Sequence, residues 1–455
     1  MKIISAFFCV LAAALPARCA ESSLEFGKFG KVAVYRPAKV EKVAIFISGD
    51  GGWNLGVVDM ARVLEKQDTL VLGVDIVKYF KAMRASKAEC WYSAADFEEL
   101  SQFAQKDLGL PQYVRPVLAG FSSGATLAYA LLAQAPPNTF RAGLSLGFCP
   151  DLETPKPLCK GSGLAYRPLP KGKGFYYLPA ALPERWVAFQ GLLDKVCDPV
   201  GTENFVKDVI GGDIVILPKV GHGFGVQRNW VPQFEAAYAR LSAVEVAAAP
   251  PAAVADLPLV QLPVKTDKPY FAVLISGDGG WAGIDREVAG ALVKDGVPVV
   301  GLDSLKYFWK PRNPEVLAAD LSRVVDHFSK AWGKEKVLLV GYSRGADVLP
   351  FAVNRLAPEL KAKVALLALL GPGQKAEFEF KLKDWLGGGE SGAPIKPEAE
   401  AWTGSPVLCF YGKADKGNLC EVLDPARFKI IKLGGGHHFG GAYAEIAGQI
   451  LLEIR

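Results

Sequence analysis

Two copies of one hexapeptide organise this chain: Ser48-Gly49-Asp50-Gly51-Gly52-Trp53 and Ser276-Gly277-Asp278-Gly279-Gly280-Trp281. Each copy is followed by a Gly-x-Ser-x-Gly pentapeptide, at residues 120–124 and 341–345. An aspartate then follows at the same separation from each central serine, and a Gly-His-x-Phe-Gly turn closes each copy at residues 221–225 and 436–440. Four motifs that recur in one order predict two homologous domains of the serine-hydrolase type.

Length and composition are consistent with two globular domains. Of the 455 residues, 50% are hydrophobic and 22% are charged, which is ordinary for domains that bury a full core. The predicted organisation is a signal peptide at 1–20, an N-terminal domain at 21–242, an exposed Ala/Pro linker at 243–257 and a C-terminal domain at 258–455. The net charge of +5 is small and no Lys/Arg block occurs, so nucleic acid is not an expected partner.

The N-terminus predicts export to the periplasm. Lys2 precedes an apolar run that ends at Leu15, and small residues follow near Ala20, which is the pattern of a secretory signal peptide. A lipoprotein acylated on Cys19 is the alternative, although Arg18 disfavours it. No other stretch reaches about 18 apolar residues, so no transmembrane helix is expected in the mature chain.

Cysteine usage also indicates an oxidising compartment. Six cysteines follow the signal peptide, four in the first repeat and two in the second: Cys90, Cys149, Cys159, Cys197, Cys409 and Cys420. The second repeat has only the pair Cys409–Cys420, whereas the first allows three connectivities, of which we favour Cys149–Cys159 with Cys90–Cys197. No Cys-x2-Cys pair occurs, so no metal site is expected, and no cofactor is implied.

The strand pattern predicts an α/β fold. Short β-branched runs alternate with longer amphipathic ones, which indicates two tandem α/β-hydrolase-like domains, each a mostly parallel sheet flanked by helices. The runs are Val43–Ile47, Leu70–Val74, Val114–Ala119 and Trp186–Phe189 in the first repeat, and Phe271–Ile275, Val299–Leu302, Val337–Val340 and Val407–Phe410 in the second. The motifs follow these strands, so they belong at the carboxyl edge of each sheet, where open α/β sheets hold their sites.

Each pentapeptide predicts a nucleophile. The second lies between an apolar strand and an apolar helix, and its glycines permit the sharp turn that lifts the Ser343 hydroxyl above the sheet. Ser122 occupies the same context in the first repeat. A serine hydroxyl is a weak nucleophile and needs an oriented base.

Histidine is scarce, which narrows the choice of base to four residues. His222 and His437 occupy matching positions in the two closing turns, so we assign them as bases. His438 is then a neighbour of the base, and His327 is structural because it lies in a helical stretch without a counterpart in the first repeat.

An acid just past a strand completes each predicted triad. Asp194 and Asp415 precede the histidines, which gives the Ser-Asp-His order of α/β-hydrolases. An acid at this position orients the imidazole and stabilises the imidazolium. Asp198 and Glu421 are the alternative acids.

The repeated hexapeptide predicts half of an oxyanion hole. We expect backbone N–H groups of Gly279, Gly280 and Trp281 to face the oxyanion with the N–H of Arg344. A plain turn and a phosphate-binding nest are the alternatives. Asp278 is a candidate for binding a substrate ammonium. Lys306 lies in the segment Leu-Asp-Ser-Leu-Lys-Tyr-Phe. It is a candidate for contacting an acidic head group, and the alternative is a solvated loop lysine.

The doubled hexapeptide, the segment Leu302–Phe308 and the stretch Gly341–Asp347 together resemble the VirJ/AcvB family of bacterial periplasmic virulence proteins. The resemblance covers essentially the whole mature chain in the two-repeat, AcvB-like form, and VirJ itself is similar to the second repeat alone. It implies a periplasmic α/β-hydrolase that removes the aminoacyl group from lysyl- or alanyl-phosphatidylglycerol at the membrane surface, with type IV secretion components as further partners.

For this chain the resemblance implies Ser343, Asp415 and His437 as the catalytic triad, with Ser122, Asp194 and His222 as a second candidate triad. An aminoacyl ester carries a cationic amine, which Asp278 or Asp347 is suited to bind, and a phosphate, which Arg344 or Lys306 is suited to face. Two alternatives stay open: a non-catalytic accessory protein of type IV secretion, and an esterase of unrelated substrate.

Overall fold

The computed structural model describes residues 22–243, 252–381 and 392–454. The predicted signal peptide lies outside the described residues. Two large sheets dominate the structure, one in each repeat, and helices cover both faces of each sheet. The predicted fold class is therefore confirmed.

The first repeat contains an eight-stranded sheet and a small three-stranded one. Its strands are β1 (Ser22–Phe26), β2 (Gly30–Tyr35), β3 (Lys42–Ile47), β4 (Thr69–Val74), β5 (Val117–Phe121), β6 (Ala142–Leu146), β7 (Asp151–Leu152), β8 (Tyr166–Pro168), β9 (Phe175–Tyr177), β10 (Ala181–Gly191) and β11 (Ile210–Leu217). Its α-helices are α1 (Leu55–Glu65), α2 (Ile76–Ala85), α3 (Ser93–Asp107), α4 (Ser123–Gln134), α5 (Pro199–Lys207) and α6 (Val231–Ser242).

The second repeat contains a seven-stranded sheet and a short two-stranded one. Its strands are β12 (Leu259–Leu262), β13 (Tyr270–Ile275), β14 (Val299–Leu302), β15 (Lys336–Tyr342), β16 (Val364–Leu370), β17 (Lys375–Ala376), β18 (Ala393–Pro394), β19 (Val407–Gly412) and β20 (Lys429–Leu433). Its α-helices are α7 (Gly283–Lys294), α8 (Ser304–Tyr307), α9 (Pro314–Trp332), α10 (Arg344–Asn354), α11 (Pro358–Lys361), α12 (Lys396–Ala401) and α13 (Tyr443–Glu453).

The two large sheets share one topology. The first has the order β1-β2-β4-β3-β5-β6-β10-β11 and the second has β12-β14-β13-β15-β16-β19-β20. One strand at the start of each repeat pairs antiparallel with the parallel part of the sheet, β2 with β4 and β12 with β14. In the first sheet β1 is also antiparallel to β2, and all other neighbours in the two sheets are parallel. The second sheet is thus the first without its edge strand β1, as expected for an internal repeat.

The apolar strands are buried on both faces, as in parallel sheets covered by helices. In β3, Val43, Ile45 and Ile47 belong to one core cluster, while Ala44 and Phe46 belong to the cluster on the opposite face. The alternation follows from the two-residue period of a strand. This packing holds the carboxyl ends of the strands rigidly, and the sequence motifs lie there.

A buried tyrosine in each repeat shows how the shared segments act structurally. The Tyr79 hydroxyl donates to Asp96 Oδ2 (2.8 Å), and the Tyr307 hydroxyl donates to Asp320 Oδ2 (2.7 Å). Both tyrosines come from the Lys-Tyr-Phe segment, and each acid lies on the long helix that follows. The repeated Lys-Tyr-Phe therefore attaches one helix to the next, α2 to α3 and α8 to α9.

The predicted linker is shorter than the sequence suggested. Val254 is fully buried and Leu257 is 5% exposed, and both belong to a core cluster of the second repeat. Arg323 of α9 also forms an ion pair with Asp256. The prediction of an exposed linker is wrong for these residues, because two apolar side chains in an Ala/Pro-rich stretch are enough to attach it to a domain.

The two repeats pack directly against each other. The Trp309 indole donates to Leu110 O (2.8 Å), and Lys106 Nζ donates to Trp309 O (2.6 Å). Tyr113, from the first repeat, belongs to a core cluster of the second and lies against the Trp309 ring at 5.5 Å between centroids. Buried apolar contact with satisfied polar groups makes this a defined interface.

The described residues form three disulfides: Cys90–Cys159, Cys149–Cys197 and Cys409–Cys420. The pair predicted for the second repeat is confirmed, whereas the connectivity favoured for the first repeat is wrong. Cys90 precedes α3 and Cys159 lies in the loop after β7, and Trp91 N also donates to Pro157 O there (3.0 Å). This contact between distant segments was not visible in the spacing of the cysteines.

Removing the Cys409–Cys420 bond should destabilise the protein. The two cysteines are 11 residues apart, and closing such a loop in the unfolded chain contributes about 3 kcal/mol in the chain-entropy model. Urea unfolding of the Cys409→Ala/Cys420→Ala variant measures the loss under oxidising conditions. With a reductant present, wild type and variant should differ much less, because neither then has the bond; an equal difference in both conditions would contradict the assignment.

Candidate active site

Ser343 lies at a strained turn between β15 and α10. Its φ is +50°, in the left-handed region that non-glycine residues rarely adopt. The flanking glycines are required by close backbone contacts: a Cβ on Gly345 would lie 2.0 Å from Ile275 O, and one on Gly341 would lie 2.4 Å from Gly345 O. The turn therefore presents the hydroxyl at the carboxyl edge of the sheet, as a nucleophile elbow does.

A histidine and an aspartate meet this hydroxyl. The Ser343 hydroxyl lies 3.0 Å from His437 Nε2, and His437 Nδ1 lies 2.9 Å from Asp415 Oδ2. With Nδ1 protonated, the ring donates to the carboxylate and accepts from the serine. This is the hydrogen-bond relay that serine activation requires.

The first repeat has the same relay. Ser122 Oγ is 2.9 Å from His222 Nε2, and His222 Nδ1 is 2.9 Å from Asp194 Oδ2. Asp194 also accepts from the backbone N–H groups of Val196 and Cys197, at 2.8 and 2.9 Å. Ser122 has a φ of +54°, so both serines occupy equivalent turns.

Disulfides hold the segment that follows each acid. Cys197 comes three residues after Asp194 and is bonded to Cys149, while Cys420 comes five residues after Asp415 and is bonded to Cys409 of β19. Asp194, Cys197 and His222 also lie close enough together to suggest metal ligands. The disulfide removes the thiolate from that set, and the His–Asp hydrogen bond accounts for the other two residues.

The repeated hexapeptide packs directly on the nucleophile. A Cβ on Gly277 would lie 3.5 Å from Ser343 Cβ, and the Gly277 N–H donates to Asp285 Oδ1 (3.3 Å). Asp285 is buried, and burial raises the pKa of its carboxyl. This side chain was not identified from the sequence, and it holds the loop through the Gly277 N–H.

The structure corrects one predicted oxyanion donor. The Gly280 N–H donates to Gly277 O (3.1 Å), so it cannot also face an oxyanion. Among the described residues, the N–H groups of Asp278, Gly279, Trp281 and Arg344 have no protein acceptor. Asp278 N therefore replaces Gly280 N as a candidate donor, together with the predicted Gly279, Trp281 and Arg344.

Trp281 has a structural reason for its place in the motif. Its side chain is 8% exposed, and a Cβ on Gly301 of β14 would lie 2.2 Å from the indole ring. Trp53 and Gly73 form the same pair in the first repeat, also at 2.2 Å. The tryptophan thus packs over a strand where glycine leaves room, and its repetition does not depend on catalysis.

The structure separates the predicted substrate-binding residues. Asp278 lines the cavity that contains Ser343. Asp347 instead accepts from Gly373 N (2.7 Å), and burial raises its pKa to about 7. Lys306 pairs with Asp303 at 3.1 Å. Neither Asp347 nor Lys306 lies in the cavity wall formed by the described residues.

The Arg344 side chain is also directed elsewhere. Its guanidinium donates to the backbone oxygens of Glu377 and Glu379 and lies over the Phe380 ring at 4.0 Å. The guanidinium therefore attaches α10 to the segment around β17. Only the backbone N–H of Arg344 remains beside the nucleophile, so the expectation that its side chain faces a substrate phosphate is not supported by these contacts.

The other histidines lie where the sequence placed them. His438 Nδ1 is 3.1 Å from the Tyr342 hydroxyl. Burial, and to a smaller extent the neighbouring His437, lowers the pKa of His438. His327 lies in α9, edge-on to Phe328. Neither is hydrogen-bonded to Ser343, whereas His437 is.

A cavity of about 1040 Å³ opens onto Ser343 and His437. One wall is formed by the second repeat around Gly277–Ile284. The opposite wall comes from the first repeat and includes Tyr92 and Glu98 of the α3 region and the loop at Pro136. Asn138 Nδ2 donates to Trp281 O (3.1 Å), so the two walls are hydrogen-bonded to each other. The first repeat therefore completes the site of the second.

The cavity at Ser122 is smaller, about 330 Å³, and its described lining comes from the first repeat alone. The residues around the two serines also differ. Arg344 and Asp347 occupy the positions of Ser123 and Thr126 in the aligned pentapeptide segments. The Thr126 hydroxyl donates to Cys149 O (2.6 Å), where Asp347 accepts from a backbone N–H. The two triads therefore have the same geometry in different surroundings.

Glu98 is the residue that sequence reasoning missed. Burial, and then the negative charges of Asp278 and Glu99, raise its pKa to about 8. Glu98 belongs to no repeated motif and lies far from the second repeat in sequence. Glu98 and Ser343 line the same cavity only because the two repeats dock.

Comparison with known families identifies the chain. The sequence model of one protein family, described as bacterial virulence protein (VirJ), matches residues 41–145 and 269–455, which is well over half of the sequence. The chain belongs to the VirJ family of bacterial virulence proteins. The match covers the second repeat including Ser343, Asp415 and His437, and in the first repeat it ends before Asp194 and His222. Among curated proteins, none matches this chain.

Several solved structures are similar over about half of the chain. A serine hydrolase without a lid from Xanthomonas campestris is 20% identical over 50% of this chain and 95% of its own, with a TM-score of 0.33. An esterase domain from Rhodothermus marinus is 15% identical over 49% and 97%, with a TM-score of 0.32. A dienelactone hydrolase from Anabaena variabilis is 15% identical over 49% and 95%, with a TM-score of 0.32.

Proposed function

We propose that this VirJ-family protein is a periplasmic serine esterase that hydrolyses the aminoacyl ester of lysyl- or alanyl-phosphatidylglycerol. The observation that carries the proposal is the relay of Ser343, His437 and Asp415 at the edge of a large cavity. Ser343 is assigned as nucleophile, His437 as general base and acid, and Asp415 as the group that orients the imidazole.

Acylation begins with a proton transfer. His437 Nε2 accepts the Ser343 proton while Oγ attacks the ester carbonyl carbon, and the carbonyl oxygen becomes an oxyanion. The N–H groups of Arg344 and Asp278 or Gly279 are placed to stabilise that charge. The tetrahedral intermediate then breaks the ester C–O bond, and His437 gives its proton to the departing glycerol oxygen of phosphatidylglycerol.

Deacylation repeats these steps with water. His437 accepts a proton from water, whose oxygen attacks the aminoacyl-serine carbonyl carbon. The bond to Ser343 Oγ then breaks, and the imidazolium returns the proton to the serine. The products are a free amino acid and phosphatidylglycerol, so one water is consumed for each ester and no cofactor is needed.

Three features support an aminoacyl ester as substrate. The charged groups of the cavity wall are mainly acidic, which suits a cationic acyl group. The three disulfides are typical of an exported protein, and the periplasm faces the membrane that contains this lipid. Within the described residues, no helix has the length and apolarity needed to cross a membrane. The proposed substrate is an ester that this enzyme would reach at the membrane surface.

The purified mature protein should release free amino acid from vesicles of aminoacyl-phosphatidylglycerol and leave phosphatidylglycerol intact. Mass spectrometry of the lipid fraction and amino-acid analysis of the supernatant measure the two products. Deleting the gene should raise the membrane content of the aminoacyl lipid. An enzyme inert on these vesicles but active on neutral short-chain esters would be an esterase of another substrate. A protein inert on both would favour a non-catalytic role, for which type IV secretion components remain the predicted partners.

A further inference from the structure

The cavity at Ser343 is shared between the repeats, and the first repeat contributes an acidic side chain to it. Glu98 of α3 lies in the cavity wall, and its carboxylate reaches the loop that packs on the nucleophile. A methyl group placed on Gly279 would lie 3.9 Å from Glu98 Oε1. Glu98 is therefore next to the loop residues that are expected to face the reacting carbonyl.

The charges around this point have one sign. The carboxylates in the wall are those of Glu98, Asp278, Asp285 and Glu287, and no lysine or arginine of the described chain lies there. The Asp285 carboxylate already accepts a hydrogen bond from the Gly277 N–H. Across the described residues, neither Glu98 nor Asp278 has a hydrogen bond or an ion pair to its carboxylate. Two acids without a partner lie in one cavity wall, and Glu98 Oε1 is 3.9 Å from the Cβ position of Gly279, the residue after Asp278. They leave a place for a cation.

The electrostatic cost of this arrangement supports the same conclusion. Burial and the nearby Asp278 raise the pKa of Glu98 to about 8, because two carboxylates in a confined space disfavour each other's ionised form. A cation bound between them removes the repulsion. The two acids lie in the wall of the cavity that contains the nucleophile, and an acid that served only the fold would be expected to have a donor.

We propose that Glu98, together with Asp278, binds an ammonium group of the substrate's acyl part, so that the first repeat determines the specificity of the active site in the second. The inference rests on the proposed esterase function and names the recognition of the acyl group. It also gives the first repeat a role that does not require Ser122.

Contacts between the repeats hold α3 in a fixed position relative to the second repeat. Lys106, two turns further along α3 from Glu98, donates to Trp309 O and forms an ion pair with Glu379 at 3.4 Å. Asn138 is hydrogen-bonded to Trp281 O at the other side of the cavity. The helix that carries Glu98 is thus fixed to the second repeat, and its carboxylate keeps a defined position relative to Ser343.

A pair of soluble esters tests the inference without the lipid. The p-nitrobenzyl esters of lysine and hexanoic acid have similar acyl chains, and only the former is cationic. In the full-length mature protein, Glu98→Gln should lower kcat/KM for the lysine ester roughly 10- to 100-fold, the range for losing a hydrogen bond to a charged group. Hydrolysis of the hexanoate ester should change less than about threefold, because that substrate makes no such bond.

Glu99→Gln is the matched control. Glu99 is the next residue on α3 and is exposed, so the variant removes the same charge from the same helix without altering the cavity wall. It should change the ratio of the two kcat/KM values much less than Glu98→Gln does, because Glu99 reaches the cavity only through its charge near Glu98. Asp278→Asn should lower the ratio in the same direction as Glu98→Gln, whereas Glu98→Asp should restore part of the preference for the lysine ester.

The outcomes separate this inference from the proposed function. If Glu98→Gln slows both esters equally, Glu98 is structural and the inference is overturned. A wild-type protein without preference for the lysine ester, including one inert on both, also overturns it. If the wild type prefers the lysine ester through Glu98 but does not act on aminoacyl-phosphatidylglycerol vesicles, the cation site stands and the lipid assignment fails. If it acts on the vesicles and Glu98→Gln leaves the ester ratio unchanged, the lipid assignment stands and the cation site fails.

Discussion

Ser343→Ala should lower the hydrolysis of aminoacyl-phosphatidylglycerol by about 10³-fold or more. The substitution removes the attacking oxygen, and the loss of one member of a catalytic triad typically has an effect of this size. The small side chain should be accepted, although the φ of +50° remains strained for alanine as it is for serine. Release of amino acid from lipid vesicles measures the rate, and circular dichroism with urea unfolding checks the fold.

Ser122→Ala is the matched variant in the first repeat. Because the larger cavity belongs to Ser343, most of the lipid hydrolysis should remain when Ser122 is replaced. Labelling with a fluorophosphonate should show whether Ser122 is reactive in the Ser343→Ala protein. Lipid hydrolysis that survives Ser343→Ala and disappears with Ser122→Ala would move the chemistry to the first repeat.

Asp415→Asn should reduce ester hydrolysis on the order of 10³- to 10⁴-fold. The carboxylate accepts from His437 Nδ1 at 2.9 Å, which leaves Nε2 free to accept the serine proton. An amide at this position can donate to Nδ1 and so favours the wrong tautomer. It also lacks the charge that stabilises the imidazolium. The steady-state kcat on a short-chain ester measures the loss.

Asp194→Asn provides the comparison for this prediction, since Asp194 has the same contact with His222 at 2.9 Å. Equal losses from the two substitutions would indicate that both sites turn over the ester. Retention of more than a tenth of the wild-type kcat by Asp415→Asn would contradict the assignment of Asp415, and Glu421 would be tested next.

The local parts of the site could be predicted well from the sequence. Residues 341–345 and their neighbours fix the turn at Ser343, because the glycines are needed within a few residues of the serine itself. The choice of His437 over His438 followed from the alignment of the two closing turns, and the hydrogen bonds place His437 on the serine and His438 on Tyr342. Each of these conclusions depended on residues close together in the chain or on comparison of the two repeats.

The sequence-based predictions that the structure corrects failed for one reason: each depended on contacts between groups whose partners the sequence does not show. The pairing of Cys90 with Cys159 depends on the loop after β7 returning to the start of α3, and the availability of the Gly280 N–H depends on a turn hydrogen bond to Gly277 O. Asp347 was expected to bind substrate because it lies four residues after Ser343, yet its carboxylate faces Gly373. Proximity in sequence did not reveal where these groups find their partners.

The sequence alone determined the two α/β domains, their order of motifs and the identities of both Ser-Asp-His sets. It could do so because the period of a strand, the glycines of a tight turn and the order of the triad residues are all local or repeated features. Only the tertiary structure decided that α3 of the first repeat forms a wall of the second site and brings Glu98 beside Asp278. That contact arises from the docking of two separately folded surfaces, which no spacing along the chain encodes.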